Sequence, residues 1–151
     1  MTGRESDGFN GCNGREGFHN RRRLSILVVE DNTDSAYLLA RLLEHAGHSV
    51  VAAATLEEAR QAAEHLHFDL LISDLALPDG SGRDLVTELH RRDALPAIAL
   101  SGYGGASEEE RSIAAGFARH LLKPVPIESL LAVIDEVYCA SNIPRMHSAS
   151  C

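Results

Sequence analysis

From Leu24 onward, apolar positions fall into two alternating patterns: short runs of strand length, and longer segments where apolar residues recur at helical spacing. The first run, LSILVVE at 24–30, is apolar almost throughout, as a strand covered on both faces must be. Helical spacing follows over Asp34–Ala46, where Leu38, Leu39, Leu42, Leu43 and Ala46 make one stripe and Gly47 supplies a left-handed stop. SVVAAA (49–54) reads as a second strand, and Thr55-Leu-Glu-Glu58 as a capping box opening a helix with Ala59, Ala62, Ala63 and Leu66. DLLISD (69–74) is the third strand, Leu85, Val86 and Leu89 mark a third helix, and PAIALS (96–101) is the fourth strand. Ser107-Glu-Glu-Glu110 reads as a further capping box, on a helix that Gly116 closes. A short fifth strand around Arg119–Leu122 then leads to a helix with Pro126 in its first turn, apolar at Ile127, Leu130, Leu131, Ile134 and Val137 and ending at Tyr138.

Five βα units in succession predict an α/β fold: a five-stranded parallel sheet, doubly wound as (βα)5, with strand order 2-1-3-4-5. The chain of 151 residues allows one such domain, over 24–138. Residues 1–23 are rich in Gly, Asn and Arg without periodicity, and predict a disordered N-terminal tail. Residues 139–151, CASNIPRMHSASC, lack a periodic pattern as well and predict a C-terminal tail, with nothing left to form an output domain.

Charge narrows the class of partner. The formal net charge is −8, and because the first 23 residues carry five Arg against three acids, the remainder stands at −10. Such a surface repels phosphate backbones and anionic membranes, which disfavours nucleic acid as a ligand. No apolar run approaches the roughly 18 residues of a membrane span, and no signal-like segment opens the chain. Cys12, Cys139 and Cys151 show no metal-ligand spacing, which fits free thiols in a reducing compartment and a cytoplasmic location.

In a doubly wound sheet the ligand site lies beyond the carboxyl ends of the strands, where the strand order reverses. Strand 1 ends in Glu30-Asp31, strand 3 in Asp74, strand 4 in Ser101 and strand 5 in Lys123, the only lysine beside thirteen arginines. Strands 1 and 3 are central neighbours, so three carboxylates converge on one ammonium. Two like charges ~4 Å apart repel by about 4 kcal/mol at an effective dielectric of ~20, which one lysine does not offset for the set. An all-oxygen donor set open to water, without His or Cys, suits Mg²⁺, which completes its shell with waters and phosphate oxygens. A carboxylate beside Mg²⁺ can attack phosphorus to form an acyl phosphate, while the metal, Lys123 and Ser101 each take one equatorial oxygen. A compact ammonium suits that place better than a guanidinium fork.

The motifs VVEDN (28–32), LLISDLALPDGSG (70–82), ALSGYG (99–104) and HLLKPV (120–125), in this order on successive strand ends, closely resemble the receiver domain of bacterial two-component response regulators, of the CheY-like single-domain type. The resemblance covers roughly residues 24–138. It implies that Asp74 is the phosphoacceptor, that Glu30 and Asp31 are the acidic pair supporting Mg²⁺, and that Ala76 adds its backbone carbonyl to the metal. It further implies that Ser101 is the switch hydroxyl, Lys123 its ion-pair partner, and Lys123–Pro124 a cis peptide. His120 stands where many receivers carry Tyr or Phe; an imidazole there can bring pH sensitivity, although a spacer role is favoured. Ala76 and Tyr103 flank the site and control access of water, and with no acid or amide there, slow self-dephosphorylation is expected.

The donor implied by the resemblance is the phosphohistidine of a sensor histidine kinase, including kinases of the hybrid type. The recipient of the signal is a target protein, or a histidine phosphotransfer protein, at the face formed by helix 4, strand 5 and helix 5. A phosphorylation-independent binding module on the same fold is the alternative, and the intact acid set argues against it. A Mg²⁺-dependent phosphohydrolase is disfavoured because the second acid it needs would fall at Ala76. The chain is therefore expected to be a switch that catalyses only its own phosphorylation and dephosphorylation.

Overall fold

The computed structural model describes residues 23–93, 95–102 and 104–146. Its elements in chain order are β1 (Ser25–Val29), α1 (Thr33–His45), β2 (Ser49–Ala53), α2 (Leu56–His65), β3 (Leu70–Asp74), β4 (Ala76–Leu77), β5 (Gly80–Ser81), α3 (Gly82–Asp93), β6 (Ala97–Ser101), α4 (Ala106–Ala115), β7 (Arg119–Leu122) and α5 (Ile127–Met146). Five strands form one parallel sheet in the order β2-β1-β3-β6-β7, which is 2-1-3-4-5 when counted over the five βα units. The two short strands β4 and β5 form a separate antiparallel ribbon inside the loop after β3.

Alternation along the central strands builds two cores. Leu27 and Val29 of β1, Leu71 of β3, and Ala97 and Ala99 of β6 face Leu56 and Ala59 of α2 and Leu85, Val86 and Leu89 of α3. The intervening residues Ile26, Val28, Leu70, Ile72, Ile98 and Leu100 face Leu43 of α1 and Leu130, Ile134 and Val137 of α5. Strands covered on both sides need apolar residues at every position, and β3 and β6 are buried throughout.

Helix ends follow local chemistry in most places. Asn32 Oδ1 accepts from Ser35 N–H at 2.8 Å and starts α1 one residue before the expected Asp34. Thr55 Oγ1 accepts from Glu58 N–H at 3.1 Å, while Glu58 Oε1 accepts from Ala54 N–H at 2.8 Å. The expected box thus closes one residue further back than Thr55. Gly47 and Gly116 take positive φ and end α1 and α4.

The structure departs from the expected pattern at several positions, including Leu66, which lies just past the end of α2 and is exposed. Leu38 is 58% exposed, because the buried face of α1 runs through Ala36 and Leu43 instead. Ser107 caps nothing: α4 is entered from Gly105, and Ser107 lies inside the helix. His48 is buried, with Nδ1 accepting from Leu24 N–H at 3.1 Å. Helix α5 continues past Tyr138 to Met146, beyond the end of its apolar stripe. Among the described residues, no helix is long and apolar enough to cross a membrane.

Candidate functional site

The site forms at the carboxyl rim, where β1 and β3 lie side by side with Val29 opposite Ser73. Glu30 and Asp31 follow β1 directly, and Asp74 is the last residue of β3. One carboxylate oxygen from each of the three lies within 4.8 Å of the others. Glu30 and Asp74 are buried and Asp31 is exposed, so the cluster is walled on the protein side and open at Asp31.

Lys123 reaches the cluster from the far end of the sheet. Its Nζ donates to Glu30 Oε1 at 2.9 Å and to Asp74 Oδ2 at 3.2 Å. Partial burial pushes the Lys123 pKa down, but the hydrogen bonds to Glu30 and Asp74 and the charges of those carboxylates outweigh it, leaving the pKa above the ordinary 10.5. The ammonium therefore stays charged throughout the physiological range. Glu30 is engaged at both oxygens, because Oε2 accepts from Asn32 N–H at 3.1 Å. Three carboxylates within this span against one ammonium leave excess negative charge, and an all-oxygen set of this kind can hold a hard divalent cation.

The remaining expected residues take distinct places. Ser101 is buried at the end of β6, one residue beyond the Asp74–Leu100 pair, and its carbonyl accepts from Lys123 N–H at 2.8 Å. Ala76 is exposed at the start of the β4–β5 ribbon, where it pairs with Ser81. The Lys123–Pro124 peptide is cis. His120 does not join the acids. It turns toward α4, with Nδ1 3.0 Å from Oγ of the buried Ser112, while Nε2 is buried without a hydrogen-bond partner among the described residues. Tyr103 lies outside the described residues, as do residues 1–22 and 147–151.

Two residues outside the acid cluster, Asp79 and Arg83, support the loops around it. Asp79, in the turn of the ribbon, accepts from Leu56 N–H at 2.8 Å and Glu57 N–H at 3.1 Å. It thereby caps α2 and anchors the loop that follows Asp74; the Leu56 bond above all holds its carboxyl below the usual range. Arg83 at the start of α3 donates to Glu108 Oε1 at 2.7 Å and to the Glu108 carbonyl at 3.2 Å, joining α3 to the first turn of α4. The Asp79-Gly80 pair marks a turn but not the helix its carboxylate caps, and the Arg83–Glu108 pair depends on a contact 25 residues apart.

Comparison with known proteins decides the family. The model of the response regulator receiver domain matches residues 26–135. The chain belongs to that family. A 14.6 kDa protein in the sodA1 3′ region of Leptolyngbya boryana is 35% identical over 125 residues, covering 81% of this chain and 95% of that one. The two-component response regulator PhoP of Pseudomonas aeruginosa is 34% identical over 120 residues, and there the receiver chain spans 79% of its own length but only 53% of the relative's. Among solved structures, a CheY-like receiver domain protein from Methanospirillum hungatei matches with a TM-score of 0.75 at 30% identity, over 80% of this chain and 98% of that one. The receiver fold is a phosphoacceptor switch of two-component systems rather than a substrate-converting enzyme.

Proposed function

We propose that this receiver takes a phosphoryl group from the phosphohistidine of a sensor histidine kinase onto Asp74 and uses it to change its affinity for a protein partner. One observation carries the reading: three carboxylates share one small volume at the centre of the sheet, and the sole lysine is bonded to two of them. Glu30, Asp31 and Asp74, with the carbonyl of Ala76, would hold Mg²⁺. When bound, Mg²⁺ supplies charge neutralisation for the approaching phosphoryl oxygens.

The chain's own residues account for the rest. An Asp74 carboxylate oxygen attacks phosphorus, the P–N bond breaks, and the electron pair leaves with the donor imidazole, which takes up a proton. Lys123 restrains Asp74 through Oδ2 beforehand and can pass its donor to a phosphoryl oxygen as charge develops there. Ser101, at the adjacent strand end, offers a hydroxyl to a second oxygen and so ties occupancy of Asp74 to the loop that leads into α4. The face of α4, β7 and α5 is the surface where a target protein, or a histidine phosphotransfer protein, would read the change.

Intact-mass measurement after incubation with acetyl phosphate and Mg²⁺ tests the proposal. One added phosphoryl group on the wild type and none on Asp74→Asn is the expected result. A modified residue mapping elsewhere, or loading that is indifferent to Mg²⁺, overturns it. Lys123→Arg is expected to retain the fold and lose phosphorylation-dependent partner binding, as read by affinity with and without acetyl phosphate.

A further inference from the structure

Ser73 is a hydroxyl in an apolar row. It is fully buried, it sits between Val29 of β1 and Ala99 of β6, and both neighbours belong to the core that faces α2 and α3. The positions two residues to either side, Leu71 in β3 and Leu75 just past its end, are also members of that core. Burying a hydroxyl among such neighbours costs about 1–3 kcal/mol unless it is bonded. Its bond goes to the carbonyl of Asp74, at 2.8 Å.

That carbonyl belongs to the peptide joining Asp74 to Leu75, and the opposite end of the same peptide is held too: Leu75 N–H donates to Leu100 O at 3.2 Å. The next carbonyl, of Leu75, accepts from Gly82 N–H at 2.9 Å. Gly82 presses on the group so closely that a Cβ there would lie 2.4 Å from the Asp74 carbonyl oxygen and 2.8 Å from Ser73 Oγ. Hydroxyl, peptide and glycine therefore form one packed unit directly beneath the acids. The orientation of that peptide fixes the backbone from which the Asp74 carboxylate departs, and from which the chain proceeds to the carbonyl of Ala76.

We infer that Ser73 is a positioning residue for the acidic site: its hydroxyl holds the Asp74–Leu75 peptide in the one orientation that aims the Asp74 carboxylate and the Ala76 carbonyl into the same space. The inference rests on Asp74 being the phosphoacceptor. The competing account is that serine is present only because it is small enough to sit beside Gly82, and an alanine would satisfy that need equally.

Ser73→Ala separates the two accounts. Positioning predicts a fall of about tenfold in the rate of phosphorylation by acetyl phosphate, as a displaced reacting group costs. It also predicts a several-fold weaker Mg²⁺ affinity by calorimetric titration in the absence of any donor, and faster amide exchange at Leu75, with partial recovery of all three in Ser73→Thr. Loading rate and Mg²⁺ affinity both within twofold of wild type would overturn it. Should Ser73→Ala fail to fold, Ser73→Cys, of similar shape with a weak donor, is judged by the same outcomes. If the wild type takes no phosphoryl group on Asp74, the proposed function fails, and the Mg²⁺ titration and amide exchange still decide the role of Ser73.

Discussion

Helices α3 and α4 lie side by side on one face of the sheet, yet they are attached in different ways. Helix α3 buries Leu85, Val86 and Leu89 in the core beneath it. Helix α4 buries only Ser112, adds partly buried Ala115, and turns Ile113 outward at 46% exposure. Its hold on the domain is polar: Arg83 to Glu108 at its start, His120 to Ser112 in its middle, and the Thr87 hydroxyl 3.0 Å from the Ala115 carbonyl at its end. Apolar burial is non-directional and large, whereas each polar contact contributes about 1 kcal/mol and depends on geometry. Helix α3 is thus a fixed wall, while α4 can be repositioned by altering a few directional bonds. It is also the helix entered directly from the Ser101 strand.

The sharpest break between the two helices should come from deleting a core side chain. Leu85→Ala is expected to cost about 2–5 kcal/mol in chemical denaturation, against at most about 0.5 kcal/mol for Ile113→Ala on α4. A cost for Ile113→Ala that matched Leu85→Ala would abolish the distinction. Next in size is Ser112→Ala, which leaves the partly buried imidazole of His120 without its bond. A loss of about 1–2 kcal/mol is expected, with amide exchange accelerating in α4 and not in α3. Arg83→Ala comes third, at about 1 kcal/mol or less, because Glu108 remains about one-third exposed and solvent screens the pair; raising the salt concentration should shrink the difference further.

The smallest effect is a pH dependence. The hydrogen bond from Arg83 holds the Glu108 carboxyl below its ordinary value near 4.5, against some desolvation and with help from the charges of Arg83, Arg111 and His120. A carboxylate depressed in the folded state contributes stability that is present above 4.5 and lost as pH falls through the depressed value. Exchange in α4 should therefore accelerate on acidification below that range in the wild type and change less steeply in Glu108→Gln. Parallel profiles for the two proteins would show that the Arg83–Glu108 contact does not anchor the helix.

Much of this fold was legible in the chain because the sheet is buried on both faces. Continuous apolar runs mark strands, and the first polar residue after each run marks the rim, so Glu30, Asp31, Asp74, Ser101 and Lys123 could be found by position alone. Helix faces were harder. Leu38 lies five residues from Leu43, about 140° around the helix, and joined the expected stripe only through Leu42. The small Ala36, seven residues from Leu43, shares the buried side instead. Long-range polar partnerships left no trace: His48 is buried because Leu24 N–H reaches it across the start of the β1–β2 pair. Ser107 was not used as a cap because the helix is entered at Gly105, with Arg83 already holding Glu108 in its first turn. Ser73 reads as one more strand residue until the return of Gly82 against Asp74 reveals what its hydroxyl touches.

The bond between His48 and the Leu24 amide fastens the beginning of the domain at the amino rim of the sheet. Measured along β1 at about 3.3 Å per residue, that anchor stands roughly 20 Å from Glu30 and Asp31. A fluorophore or affinity handle joined ahead of Arg23 would therefore enter the fold at the opposite pole from the acids, giving an observer a way to immobilise or watch the protein without crowding the chemistry.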